Sequence, residues 1–250
     1  RKKATIFCLE EETEEAALAP GLNSAGLLAH PRTRNFLKGL PNPKYLFLYQ
    51  NYLELSASAT YNGWNLLANS PQLRQAVGKR LFFKNMVAAL GLPQVPGNIY
   101  AIQGLHEKGY EEWAHGLGPA FVVQLPDIER GGGRGTFFIR SMEDYHQLQK
   151  RLAENRWRNT PLESISIHQF MDGIPASMVV CVTRHGVLAS SLQRQLMDLP
   201  YCKNFEEDGV FCGHAWGLPR WSATVRKSAF EQACQIGDFL GNMGYKGILG

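Results

Sequence analysis

The 250-residue chain has no apolar run near the ~20 residues that a membrane-spanning helix needs, and no leader of basic and then apolar residues. A membrane partner is therefore not expected. No internal repeat or low-complexity tract interrupts it. Charge of one sign is scarce: the net charge is +4, and apart from Arg1-Lys2-Lys3 the basic residues are not gathered into a run, so a nucleic-acid partner is not expected either. Cysteine is sparse and odd in number (Cys8, Cys181, Cys202, Cys212 and Cys234), which fits reduced thiols and a cytoplasmic protein better than a disulfide framework. Cys202, Cys212 and His214 match no zinc spacing, and a fourth ligand is missing. What remains is an ordinary globular balance, 44% apolar and 19% charged, sufficient for a full core in one or two domains.

The stretch FVVQLPDIERGGGRGTFFI, Phe121 to Ile139, carries the clearest chemistry. Two strand-forming runs flank a loop in which Arg130 and Arg134 sit among Gly131, Gly132, Gly133 and Gly135. Glycine lets backbone N–H groups approach an anion closely, and guanidinium forks suit phosphate oxygens. The loop lacks the Gly-Lys-Ser/Thr ending of a Walker A motif, and Thr136 opens a strand rather than a helix. It reads as the phosphate-binding tip of a β-hairpin. A ligand-free surface hairpin is equally compatible with the loop taken alone.

Around it the chain reads as mixed α/β. Ala4–Leu9 and Tyr45–Tyr49 are expected as strands, and Glu10–Glu15 as a solvated acidic face. Ser70 and Pro71 open a helical pattern over 73–90, interrupted at Gly78 and stopped by Gly91-Leu92-Pro93. Ile99–Ile102 is a strand. Ser141 caps a helix over 142–156, with Asp144 in its first turn. Ile165–Met171 is a strand ending at Asp172-Gly173. Ser177–Thr183 and Val187–Gln195 are expected to pair as a hairpin. A helix spans 222–243, closed by Gly244, and 245–250 begins a strand. The start without Met and the apolar end suggest a piece of a longer polypeptide.

Taken in order, four segments resemble the ATP-grasp superfamily, whose enzymes join a carboxylate to an amine or another nucleophile using ATP. VGKRLFFKNMVAALGLPQVP is similar to the helix and turn leading into the lid. FVVQLPDIERGGGRGTFFI resembles the lid hairpin and its triphosphate loop. SISIHQFMDGIPASMVV resembles the strand and hinge against which adenine stacks, and IGDFLGNMGYKGILG the approach to the magnesium-binding strands. The resemblance covers 69–250 and implies an α/β (α+β) ATP-grasp fold. Its parts would be a pre-ATP-grasp α/β domain over 1–75, a lid subdomain with the glycine-rich hairpin over 76–165, and an incomplete core over 166–250.

The resemblance implies ATP and Mg2+ as cofactors, small-molecule carboxylate and amine substrates, and an acyl-phosphate intermediate; homo-oligomer formation is left open. ATP contacts are expected from Lys79, Arg80, Gln124, Arg130, Gly131, Gly132, Gly133, Arg134, Gly135, Thr136, Gln169, Phe170 and Met171. Gln193-Arg194-Gln195 reads as a polar strand end in a cleft wall, with Arg194 as the catalytic cation, although a solvated strand explains the row equally well. The segment 200–219 suits an acceptor-binding loop. Three departures stand out. Gln124 replaces a phosphate-contacting lysine, Pro175 falls where an acidic residue often binds the ribose, and the magnesium ligands are expected beyond Gly250. The alternative reading is therefore a nucleotide-binding module without catalysis.

Overall fold

The computed structural model describes residues 6–12, 23–48, 51–125, 135–157, 160–202, 209–217 and 219–250. The chain divides into two compact units, residues 1–77 with 245–247 and residues 78–244 with 248–250. No helix of the described residues is long and apolar enough to cross a membrane.

The first unit is mainly helical. Asn23 caps helix Ser24–Ala29 by accepting the Gly26 N–H at 2.9 Å, and Pro31 opens the next helix, Pro31–Gly39. Helix Leu53–Asn62 ends at Gly63, whose φ of 66° supplies the left-handed turn a helix stop requires. Leu28, Leu37, Leu55, Ala59 and Trp64 form its core. A short parallel pair, Tyr45–Phe47 with Asn65–Leu67, completes the unit. The strand expected over Ala4–Leu9 is corrected. Ile6–Cys8 belong to no strand, and Leu9–Glu12 is a helical turn whose leucine is buried while Ile6 is exposed.

In the second unit a four-stranded antiparallel sheet runs in the order Gly97–Ala101, Ser164–Gln169, Phe121–Gln124, Thr136–Ile139. Alternation sends Phe121, Val123, Ile139, Ile165 and Ile167 into one core with Trp113, Tyr145 and Leu148 of helices Tyr110–Leu117 and Met142–Arg151. Each such side chain contributes about 1.5–3 kcal/mol on burial. The opposite face of the sheet presents Val122, Gln124, Thr136, Phe138, Ser166 and His168. Gly97 makes this sheet possible at its edge. A Cβ there would lie 2.3 Å from the Ile167 carbonyl oxygen and 2.6 Å from the His168 Cα.

Two smaller sheets follow. One runs Gly186–Ala189, Val180–Thr183, Gly247–Leu249, and the other Phe211–Ala215, Gln193–Met197, Ala176–Ser177. Helix Ala223–Asn242, capped by Ser222, covers the first; Gly237 lets it approach so closely that a Cβ would sit 2.7 Å from a Val187 methyl. The expected hairpin is thus corrected. Val180–Thr183 does pair with Gly186–Ala189, and Ser190 closes the ladder against Val179, its N–H donating to Val179 O at 2.8 Å and its hydroxyl accepting the Val179 N–H at 2.9 Å. Gln193 then crosses to a different sheet. The helix expected over 142–156 stops at Arg151 because Asn155, at φ 52°, turns the chain into a short strand at Arg156–Trp157. The pattern over 73–90 resolves into two helices, Pro71–Val77 and Arg80–Ala89.

Candidate functional site

Helix Arg80–Ala89 starts at Lys79, whose extended backbone (φ −80°, ψ 131°) makes it the N-cap residue and whose side chain makes no capping bond. No acidic residue occupies the first turn. The helix therefore offers first-turn N–H groups at its positive end without a counter-charge from its own turn. From this end the Arg80 Nη1 donates to Gln124 Oε1 at 2.6 Å, and Gln124 Nε2 donates to Thr136 Oγ1 at 3.2 Å. Three expected residues, Arg80, Gln124 and Thr136, are thereby brought together at the last paired position of the two hairpin strands, and Lys79 is the residue before Arg80. Desolvation lowers the Arg80 pKa from its ordinary value, yet a guanidinium keeps its charge at neutral pH.

One helical turn on, Lys84 Nζ donates to Asn98 Oδ1. Both cations are thus held by neutral amides, and neither has a carboxylate partner among the described residues. His168, on the strand between those of Asn98 and Gln124, feels both charges. Burial is the main cause that lowers its pKa, the backbone near Val95 and Pro96 opposes this, and the Lys84 and Arg80 charges lower it further. Its Nδ1 is buried and reaches no hydrogen-bond partner. Sequence reasoning missed Lys84 and His168 as neighbours of Arg80. The four-residue spacing of Arg80 and Lys84 was the available signal.

Residues 126–134 lie outside the described residues, so the expected contacts of Arg130, Gly131, Gly132, Gly133 and Arg134 do too. Gly135 is described: at φ 76° it accepts the Leu125 N–H at 2.9 Å and carries the hairpin one pair beyond Gln124 and Thr136. At the expected hinge, Gln169 N–H donates to Pro96 O at 2.8 Å and Phe170 N–H to Ala120 O at 3.1 Å. The Met171 N–H has no partner among the described residues, and its side chain is exposed. The Gln169 side chain shares the core face with Phe121, opposite the face that carries Gln124. The Phe170 ring meets Phe138 edge-on at 5.8 Å, and the Arg140 guanidinium lies over both rings at 5.4 and 5.8 Å.

The polar row at 193–195 begins a strand rather than ending one. Gln193 is buried with Oε1 unpartnered, whereas Arg194 is exposed and sits in register between Ala176 and Ala215. Alternation puts Arg194 on one face and Gln193, Gln195, Ser177 and His214 on the other. Ser177 Oγ and His214 Nε2 are 2.9 Å apart. No contact joins Arg194 to the Arg80–Gln124 group among the described residues. Within 200–219, read as aperiodic, lies the strand Phe211–Ala215; its sequence signal was the Asp208-Gly209 turn pair before it. Asp198, at φ 50°, accepts N–H bonds from Gly209 (2.9 Å) and Val210 (2.8 Å), tying the two ends of the intervening segment together. A Cβ on Gly209 would lie 2.8 Å from the Phe138 ring.

Among the described residues no group of three or more His, Cys, Asp or Glu side chains is placed to hold a metal ion. The described residues therefore offer magnesium no ligand set.

No protein-family model and no curated protein matches the chain. Solved structures do. D-alanyl-alanine synthetase A from Vibrio cholerae is 8% identical with a TM-score of 0.55, over 79% of this chain and 60% of that one. Phosphoribosylamine–glycine ligase from Thermotoga maritima is 16% identical with a TM-score of 0.57, over 86% and 52%. The biotin carboxylase domain of Hydrogenobacter thermophilus 2-oxoglutarate carboxylase, solved with MgADP, ADP and bicarbonate, is 11% identical with a TM-score of 0.61, over 82% and 43%. The chain spans about half the length of the structures it matches, from 43% to 60%. At such identities the likeness speaks for the fold, which in all three is ATP-grasp: this chain has the ATP-grasp fold.

Proposed function

We propose that the chain is the nucleotide-binding part of an ATP-dependent ligase that joins a carboxylate to an amine. The observation that carries this reading is the Arg80–Gln124–Thr136 chain of hydrogen bonds at the root of the glycine hairpin, beside an uncapped helix start. Nucleotide phosphates would be held there by Arg80 and the first-turn N–H groups, with Gly131–Gly135, Arg130 and Arg134 closing over them. Lys79 adds charge at the same helix start. Gln124 supplies an amide where the family has a lysine, so the cationic work falls on Arg80. The Met171 N–H supports the hinge reading, as the donor at this strand end left for an adenine ring nitrogen, with Phe170 and Phe138 as the apolar wall.

On this reading a carboxylate oxygen of the substrate bonds to the terminal phosphorus of ATP, the bond to the bridging oxygen breaks, and ADP leaves an acyl phosphate behind. The amine nitrogen then forms the new bond to the acyl carbon, phosphate departs and the nitrogen loses its proton. The protein's share is positioning and charge stabilisation, to which Arg194 is assigned as the cation facing the acyl phosphate. Acceptor choice is assigned to 200–219.

The test is ADP release by the full-length protein with a panel of amino acids and small peptides. Release dependent on both a carboxylate and an amine supports the ligase. Tight ATP binding without release under any pairing would leave the binding module as the correct reading. Replacing Gly132 and Gly133 by valine is expected to abolish ATP binding while leaving the thermal melt unchanged.

A further inference from the structure

Arg80 and Lys84 stand one turn apart on helix Arg80–Ala89, so both side chains leave it on the same stripe. That stripe crosses the four-stranded sheet. Arg80 reaches Gln124 on strand Phe121–Gln124, and Lys84 reaches Asn98 on the edge strand Gly97–Ala101. Strand Ser164–Gln169 runs between those two. His168 belongs to this middle strand, paired with Gly97 on one side and Val122 on the other.

Like charges one turn apart on a helix repel each other, and no carboxylate among the described residues pairs with either cation. Each is held by the amide oxygen of a neutral side chain, which takes one of its donors and leaves the others free. The imidazole adds a further nitrogen. Its Nδ1 is buried against Gly97, where a Cβ would lie 2.6 Å away, whereas Nε2 is not among the buried atoms and bonds to no described group. The sheet neighbours Gly97, Val122 and Ser166 carry no charge, so Lys84 and Arg80 are the charged groups that His168 faces.

We propose that Arg80, Lys84 and His168 together hold one phosphate group, with Lys84 supplying from the helix the charge that Gln124 does not supply from the strand. The carrier of that group is ATP on the nucleotide reading, on which this assignment rests; inorganic phosphate offers the same oxygens. A phosphate suits these donors better than a carboxylate. Its tetrahedral oxygens accept from several directions, and its second charge answers two cations. Arrival of the dianion also reverses the electrostatics at His168. The cations alone favour the neutral imidazole, and the anion favours the imidazolium. Binding therefore draws a proton from solution onto the ring, and Nε2–H donates to a phosphate oxygen.

Calorimetric titration of the whole protein with ATP, ADP, inorganic phosphate and adenosine tests this. Repeating each in neutral buffers of different ionisation enthalpy counts the protons taken up. K84M should weaken ATP, ADP and phosphate about tenfold and leave adenosine unchanged, and K84R should keep most of the affinity. H168Q should bind ATP more weakly and without the proton uptake, a readout that a merely structural histidine would not move. K84M reports on the site even where H168Q lowers the thermal melt. Phosphate and ATP affinities that K84M leaves unchanged, or equal proton uptake in wild type and H168Q, would overturn the assignment. If the wild type binds no nucleotide, the nucleotide reading falls and inorganic phosphate decides alone. Phosphate binding that K84M weakens then keeps the subsite, and no phosphate binding removes it.

Discussion

Arg80 is the residue whose removal tests the nucleotide site most directly. Its guanidinium reaches Gln124 at 2.6 Å from the first position of an uncapped helix, and no acidic side chain among the described residues competes for it. A hydrogen bond between a charged group and a phosphate oxygen contributes roughly 1.5–3 kcal/mol. Losing it through R80A should therefore weaken ATP binding about ten- to a hundredfold. The side chain is exposed, so the fold should lose no more than about 1 kcal/mol, most of it from the orphaned Gln124 amide. R80K keeps a point charge but not the planar fork, and should fall between wild type and R80A. Calorimetric titration with ATP and with adenosine separates phosphate recognition from ring recognition. ATP should weaken and adenosine should not. Equal ATP affinity in wild type and R80A would refute the assignment, and parallel losses for ATP and adenosine would mean that Arg80 shapes the cleft without touching phosphate.

Three further outcomes are expected. Tyr145 is the buried hub of the sheet core: its hydroxyl accepts from Trp113 Nε1 at 2.9 Å and lies 2.7 Å from Leu105 O, and burial pushes its pKa up to about 12. Y145F should cost about 1–3 kcal/mol in denaturant unfolding by stranding the Trp113 N–H, and no loss would show that a water replaces the hydroxyl. G97A should lower the melting temperature sharply or prevent folding, since backbone rather than a flexible side chain stands 2.3 Å from the new Cβ; a soluble variant with an unchanged melt would refute the packing described. His168 is depressed below its ordinary 6.5, so the unfolded chain binds the extra proton first. The stability this histidine supplies is complete above about pH 6.5 and is lost as pH falls through the folded-state value. Unfolding midpoints at pH 7.5 and 5 should therefore differ less in H168Q than in wild type, and an identical pH dependence would show that His168 is not the group responsible.

What was legible in the sequence was mostly local. Ser70 and Ser141 cap their helices as expected, through hydroxyls that accept from Leu73 and Asp144, three residues on in each case. The glycine hairpin strands pair in the expected sense, and four ordered segments sufficed for the ATP-grasp fold. Partner choice between distant strands was not legible. Asn65–Leu67 is too short to announce a strand, and its pairing with Tyr45–Phe47 depends on a contact twenty residues away in sequence. The 193–195 row was misread because the strand Gly186–Ala189 ends before it and a new strand starts at Gln193 in another sheet, a change of partner that no shift in apolar pattern marks. Within the site, Arg80 and Gln124 are 44 residues apart, and only the folded sheet makes them neighbours. His168 is 88 residues from Arg80, and its place beside that cation was hidden in the same way.

The Asp198 clasp has a consequence for how such a protein can diversify. One carboxylate receives two backbone N–H groups from the far side of a ten-residue interval, and so ties the end of strand Gln193–Met197 to the start of strand Phe211–Ala215. The number of residues between Asp198 and Gly209 can then change while these strand ends stay joined, because chain closure grows only slowly more costly with length. A lineage that keeps Asp198 and Gly209 can try new loops against the same scaffold, and one that loses either loses that freedom.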